Sequence, residues 1–230
     1  MGSIDAAPAI HAIRAVIFDY GGVLTISGRA AIRAWTEQER IRPETFSAAL
    51  KDWLSRSAPE GTPIHRLETG EITAAEFDRT LAARLRTFDD GPVPPDGLLK
   101  RLFAQMRSEP AMLDLVRRLR ACDVRTALLS NSWGNNYPWE LLDGLFECTV
   151  ISGEVGLRKP DPQIYRLALD RLGLPPHEAA FVDDGAPNIE AAQRLGMHAV
   201  LHTDAAATRA RLAELVPALR QDLPQDKERR

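Results

Sequence analysis

Cysteine and lysine are the scarce residues of this chain. Two cysteines, Cys122 and Cys148, occur in 230 residues, with neither CxxC nor metal-ligand spacing. That excludes a disulfide framework and a thiolate metal site, and it reads as two reduced, buried thiols. Lysine stands only at Lys51, Lys100, Lys159 and Lys227, so any role that needs an ammonium falls to very few positions. An excess of charge of either sign is missing too. The 29 Lys+Arg against 32 Asp+Glu leave a formal net charge of −3, and no global basic field exists to attract nucleic acid or an anionic membrane. No apolar run approaches the roughly 20 residues that span a bilayer, and the start of the chain lacks the apolar core of a signal peptide. Together these absences predict a cytoplasmic protein without a nucleic-acid or membrane partner, and no internal repeat or low-complexity block complicates the reading.

What is present begins with an apolar stretch, residues 15–18, that delivers Asp19 to the end of a predicted strand, after which Gly21 and Gly22 let the backbone turn. In an α/β sheet, the carboxyl ends of strands are where ligands bind. Residues 1 to about 12 read as a disordered leader and the polar tail after Leu219 as frayed. Residues 27–108 carry helical periodicity at 30–35, 45–54 and 73–85, with a capping box from Thr73 to Glu76. From Pro110 helix and strand alternate: helix 111–121, strand 125–130, strand 148–151, helix 161–172, strand 179–182, helix 188–195, strand 198–201 and helix 205–219. Repeated βα units predict an α/β fold with a Rossmann-like, three-layer, mostly parallel sheet and right-handed crossovers. The predicted domains are a core of residues 13–26 and 109–220 and an inserted helical cap of residues 27–108.

Four polar clusters then fall at strand ends or in the loops after them: Asp19, Ser130 with Asn131, Lys159, and Asp183 with Asp184. Three acids at one sheet edge repel one another unless a cation sits among them, and an all-oxygen cluster suits Mg²⁺. Ser130, the amide of Asn131 and Lys159 offer hydrogen bonds and positive charge to an anion. A hard cation beside an anion cradle is what a phosphoryl group needs, since its transition state is stabilised by position and electrostatics. Singly, each cluster has a structural reading as well: Asp19 or Ser130 as turn formers, Lys159 as a surface charge, and Asp183 or Asp184 as a helix N-cap.

Taken as a set, Phe18-Asp19-Tyr20-Gly21-Gly22-Val23-Leu24, Leu129-Ser130-Asn131, Arg158-Lys159-Pro160-Asp161 and Phe181-Val182-Asp183-Asp184 with Asn188 resemble the four motifs of the haloacid-dehalogenase (HAD) superfamily of hydrolases. Leu67-Glu68-Thr69-Gly70-Glu71-Ile72-Thr73 with Glu76-Phe77, and Gly156-Leu157-Arg158-Lys159-Pro160, are similar to the sugar-phosphate phosphatases and the phosphatase domain of soluble epoxide hydrolase. The resemblance implies that Asp19 is the nucleophile, forming an aspartyl phosphate that water hydrolyses, with Lys159 beside it in catalysis. It implies Mg²⁺ held by Asp19, the carbonyl of Gly21 and Asp184, with Asp183 a ligand or a support to the ligands. Ser130, Asn131 and Lys159 would hold the phosphoryl group, and Gly22 would let a backbone amide approach it. The implied partner is a small phosphorylated metabolite, the protein acting as a monomer or homodimer.

One position departs from the pattern. Most phosphatases of this superfamily carry a second aspartate two residues after the nucleophile, and here that residue is Gly21. The metal ligand there is a main-chain carbonyl, which glycine retains. What is missing is a general acid, typically worth about 10²–10⁴ in rate. The first reading is a phosphatase restricted to leaving groups that need little protonation, such as sugar 1-phosphates or acyl phosphates, or one that draws a proton from His65 or Glu68. The second is C–halogen or C–P hydrolysis, the latter requiring Lys51 or Lys100. The third is a phospholigand-binding or protein-interaction protein without turnover. Trp133, Tyr137 and Trp139 are expected to line the entrance or to pack beneath the cap or in a dimer contact. His177, His198 and His202 read as structural or solvent-facing, and the crossings at 25–28 and 107–110 as hinges.

Overall fold

Ala15–Phe18 forms β1, and it lies at the centre of a five-stranded sheet. In the computed structural model, which describes residues 12–54, 59, 61–134 and 136–220, the other strands are β2 (Arg125–Ser130), β3 (Cys148–Ile151), β4 (Ala179–Asp183) and β5 (His198–Leu201). The leader and the tail after residue 220 lie outside the described residues. Strand order is β3-β2-β1-β4-β5, and every pairing is parallel. The apolar run of β1 needs no polar alternation, because both faces of a central parallel strand are covered. Val16 and Phe18 enter one core and Ala15 and Ile17 the other, as the twofold alternation of a strand requires. The chain reverses direction across the sheet beside β1, and a ligand crevice belongs at that point, beyond the carboxyl ends of the strands.

Between β1 and the rest of the sheet, five helices lie among the described residues: α1 (Gly28–Gln38), α2 (Pro43–Leu54), α3 (Pro63–Glu68), α4 (Ala74–Arg84) and α5 (Leu98–Phe103). They bury a core of their own around Trp35, Phe46 and Phe77. The Thr73–Glu76 capping box forms, with the Thr73 amide donating to Glu76 Oε2 at 2.7 Å and the Glu76 amide to Thr73 Oγ1 at 3.2 Å. Entry and exit of this segment run side by side. Thr25 bridges Ser108, the Ile26 amide donates to the Arg107 carbonyl at 2.8 Å, and the Glu109 amide donates to Leu24 at 2.8 Å.

Six further helices complete the layers: α6 (Pro110–Ala121), α7 (Trp139–Leu142), α8 (Ser152–Val155), α9 (Pro162–Leu172), α10 (Ala186–Arg194) and α11 (Ala205–Leu215). Helices α6 and α11 cover the face of Val16 and Phe18, and α9 and α10 cover the other. The last helix stops at Leu215 and not at Leu219, since Pro217 cannot continue it and begins a separate short turn. Helices α3, α5, α7 and α8 are too short for periodicity to show. Both cysteines are free, as reduced thiols would be, but each is only partly buried, which corrects the reading of buried thiols. Cys122 sits at the end of α6 and Cys148 at the start of an edge strand.

His202 follows β5. Its amide donates to the Asp183 carbonyl at 2.8 Å, and its Nδ1 lies 2.8 Å from Thr208 Oγ1. Burial holds its pKa below the ordinary histidine value, against the opposing pull of Asp204 and Glu109; His65 is lowered too, by burial and the charge of Arg158. A base lowered by folding leaves the unfolded chain to take up protons first, so its share of stability is lost as pH falls below the unfolded value. Thermal melts between pH 7 and pH 5.5 are therefore expected to show a smaller loss of Tm in His202→Asn than in the wild type.

Candidate functional site

Two strands deliver carboxylates to one point. Phe18 pairs with Val182, so Asp19, just past β1, and Asp183, the last residue of β4, leave the sheet as neighbours. Ser130 ends β2 on the other side of β1. Between them lies Lys159, 2% exposed, from the loop joining α8 and α9. Its Nζ is 2.7 Å from Asp19 Oδ1 and 2.6 Å from Asp183 Oδ2. Burial opposes the lysine's charge, but Asp19 and Asp183 outweigh that and hold its pKa above the ordinary range.

The two carboxylates differ in what remains open to them. Asp183 is wholly buried and also accepts Asn188 Nδ2 at 2.9 and 3.1 Å and the Gly185 amide at 2.7 Å. It is a rigid brace. Asp19 faces a cavity, as does Asp184. Burial pushes the Asp19 carboxyl up to about 7, with Asp183 and Asp184 adding to the rise and Lys159 opposing it. Asp184 is raised by burial and then by Asp183. One oxygen from each of Asp19, Asp183 and Asp184 lies within 4.8 Å of the others. Three carboxylates set against one ammonium form a site short of positive charge, and its all-oxygen donor set fits a hard divalent cation.

Neighbouring glycines in the first loop answer to different constraints. Gly22 has φ +78°, and a Cβ there would stand 2.3 Å from Asp184 Oδ2, so glycine is what lets the acid lie against this turn. Its amide is engaged with Thr25 Oγ1 at 3.0 Å and is not offered to the cavity. Gly21, by contrast, lines the cavity, and a Cβ there would meet only Met106 Cε at 3.5 Å, an ordinary contact. Nothing in the backbone demands glycine at 21.

The anion side is organised by contacts that join distant parts of the chain. Tyr137 donates its hydroxyl to Ser130 Oγ at 2.9 Å, which leaves the serine proton for another acceptor. Burial pushes the Tyr137 phenol up to about 12. The Asn131 side chain clamps the backbone of Lys159, accepting from its amide at 2.8 Å and donating to its carbonyl at 3.0 Å. The cavity measures about 280 Å³. Its core side is Asp19, Ser130, Asn131, Lys159 and Asp184, while Ala31, Ile32, Leu102, Phe103 and Met106 of the helical segment form an apolar wall opposite.

The structure thus gathers Asp19, Gly21, Ser130, Asn131, Lys159, Asp183 and Asp184 at one place, with Gly22 behind Asp184. Trp133 and Tyr137 line the cavity, while Trp139 is exposed. Lys51 and Lys100 are exposed and His65 half-buried, and none of the three reaches the cavity. Glu68 lines it but accepts from Arg158 Nε at 2.6 Å and Trp133 Nε1 at 2.9 Å. Sequence reasoning missed the Tyr137–Ser130 bond, the Asn131 clamp and the Glu68–Arg158 pair. The last two join residues 28 and 90 positions apart, and no local pattern signals them.

A family model described as haloacid dehalogenase-like hydrolase matches residues 13–196. Bifunctional epoxide hydrolase 2 of Sus scrofa is 30% identical over 208 residues, which cover 84% of this chain and 37% of that protein. Sesquiterpene phosphatase astK of Aspergillus oryzae is 29% identical over 219 residues, covering 88% of this chain and 96% of that protein. A HAD family enzyme of Bacteroides thetaiotaomicron, crystallised with magnesium and inorganic phosphate, shares the fold at a TM-score of 0.62 and 23% identity, covering 83% of this chain and 94% of that one. The chain spans between 18% and 38% of the length of the first mammalian relatives it matches.

The contrast between the two glycines is open to a direct check. Gly22→Ala is expected to lose about 1–2 kcal/mol in urea unfolding, the scale of a left-handed residue with a Cβ, and to show a displaced Asp184 in a crystal structure. Gly21→Ala is expected to change stability by less than about 0.5 kcal/mol, in the range of unconstrained substitutions.

Proposed function

The chain belongs to the haloacid dehalogenase-like hydrolases, and from that premise we propose that it is a magnesium-dependent phosphatase whose nucleophile is Asp19. The observation that carries this reading is the approach of Lys159 Nζ to Asp19 Oδ1 at 2.7 Å, beside Asp183 and Asp184, on the core side of the cavity. An Asp19 oxygen attacks phosphorus, the P–O bond to the leaving group breaks, and water then cleaves the aspartyl phosphate to inorganic phosphate and free carboxylate. Ser130 Oγ, the backbone amide of Asn131 and Lys159 hold the phosphoryl oxygens. Asp19, Asp184 and the Gly21 carbonyl are the groups that would hold Mg²⁺, and Asp183 braces Lys159. When bound, the ion neutralises charge on the transferring group. Residues 27–108 act as a cap over a core of residues 13–26 and 109–220.

The cap side of the cavity narrows the substrate. Its wall of Ala31, Ile32, Leu102, Phe103 and Met106 offers apolar contact, and a sugar's hydroxyls turned toward that wall would be desolvated. That favours an apolar leaving group over a sugar 1-phosphate. The likeness to a sesquiterpene phosphatase supports the same class. No acid stands at Gly21, Glu68 serves as an acceptor in each of its contacts, and the Tyr137 hydroxyl donates to Ser130 Oγ. The best substrates are therefore monoesters or acyl phosphates with an apolar body and a weakly basic leaving group. C–P hydrolysis through a cap lysine loses its support, because Lys51 and Lys100 lie away from the cavity.

A panel of aryl, alkyl, acyl and sugar phosphates assayed with Mg²⁺ tests this. Turnover should fall as leaving-group pKa rises, vanish on EDTA treatment and return with Mg²⁺. Asp19→Asn should lose at least about 10³-fold in kcat, the scale of nucleophile removal. Gly21→Asp should raise turnover of alkyl esters by about 10²-fold, the lower end of general-acid catalysis. Activity that survives EDTA on a 2-haloacid would favour C–halogen cleavage. If the panel is inert and beryllofluoride with Mg²⁺ does not bind, the protein is a ligand-binding relative and not an enzyme.

A further inference from the structure

Glu68 is the last residue of α3 and is 5% exposed although charged. The turn after it lies against the core. Gly70 has φ +76°, and a Cβ there would stand 2.5 Å from the Gly153 carbonyl oxygen, so only glycine allows this approach. Seated in this way, the Glu68 carboxylate reaches three groups of the core: Arg158 Nε at 2.6 Å, Trp133 Nε1 at 2.9 Å and, more distantly, Asn131 Nδ2 at 3.4 Å. All three partners lie in the loops that follow β2 and β3, outside the sheet ladder. Two of them control Lys159. Asn131 clamps its backbone on both sides, and Arg158 is its chain neighbour.

We propose that Glu68 is a positioning residue that couples the seating of the cap to the aim of Lys159 at Asp19. Its kinetic consequences rest on the phosphatase reading. With the cap seated, one buried carboxylate orients the Asn131 amide and the Arg158–Lys159 segment together, and the ammonium is held on the nucleophile. With the cap lifted, these loops lose the acceptor that ties them.

The test uses the full chain and the variants Glu68→Gln, Glu68→Ala and Glu68→Gln/Arg158→Gln. Glu68→Gln should lower kcat by about 10²-fold, the scale of a small misplacement of a reacting group. Its KM should stay near the wild-type value. The double variant should lose no more in kcat than Glu68→Gln, because the two side chains act through one contact. Amide hydrogen exchange of both single variants should quicken at residues 131–134 and 157–160 and at the crossings 25–28 and 107–110, with β1 and β4 unchanged. Unchanged kcat with unchanged exchange in Glu68→Gln would overturn the proposal. So would a loss of activity that follows Tm with exchange raised uniformly. Should the wild type hydrolyse no ester, the phosphatase reading falls, and the exchange pattern alone decides the coupling.

Discussion

A single buried ammonium sets the terms for everything around it. Lys159 is almost wholly removed from water, and an ion in that position costs several kcal/mol unless it is paired with good geometry. Its countercharges come from two strands, Asp19 beyond β1 and Asp183 at the end of β4, each within hydrogen-bond distance. The parallel register of β1 and β4 makes that possible, because it brings the two carboxylates out of the sheet at the same level. Asn188 and the Gly185 amide saturate Asp183, so one partner of the lysine is held fast while the other still faces the cavity. The asymmetry between two acids of the same type is thus a matter of what else each one touches.

The first loop is built under the same electrostatic pressure. Asp184 lies against Gly22 because no side chain is there to hold it off, and Asp184 in turn adds to the repulsion that raises Asp19. Gly21 is free of such a demand, and its missing carboxylate is therefore a difference of chemistry and not of packing. The space above it is closed by Met106, part of an apolar wall carried by the helical segment. A polar, charge-dense floor lies under an apolar roof, an arrangement that would suit the amphipathic ester proposed above, with its anion below and its organic group above. Glu68 crosses from roof to floor and joins the two.

Much of this architecture was legible in the residues themselves. The unbroken apolar run of 15–18 identified a strand, and the fold places it at the centre of the sheet, where both faces are covered and no polar alternation is needed. The Thr73–Glu76 box marked a helix start because its hydrogen bonds close within four residues. Asp19, Lys159, Asp183 and Asp184 are legible because they fall at predicted strand ends or in the loops after them. Short helices such as α3 and α8 escaped, being little more than a turn long, and the end of α11 was misplaced because the periodicity ran on past Pro217.

The sequence by itself determined the alternation of helix and strand, the family likeness and the acids and lysine of the site, because these depend on local spacing and on residue type. Only the tertiary structure decided how the site is held and what faces it. That Asn131 grips the backbone of Lys159, that Asp184 lies against Gly22, and that Glu68 ties α3 to Arg158 are contacts between segments brought together by folding. Short-range hydrogen bonds and excluded volume act across the folded interior, where separation along the chain sets no limit on separation in space.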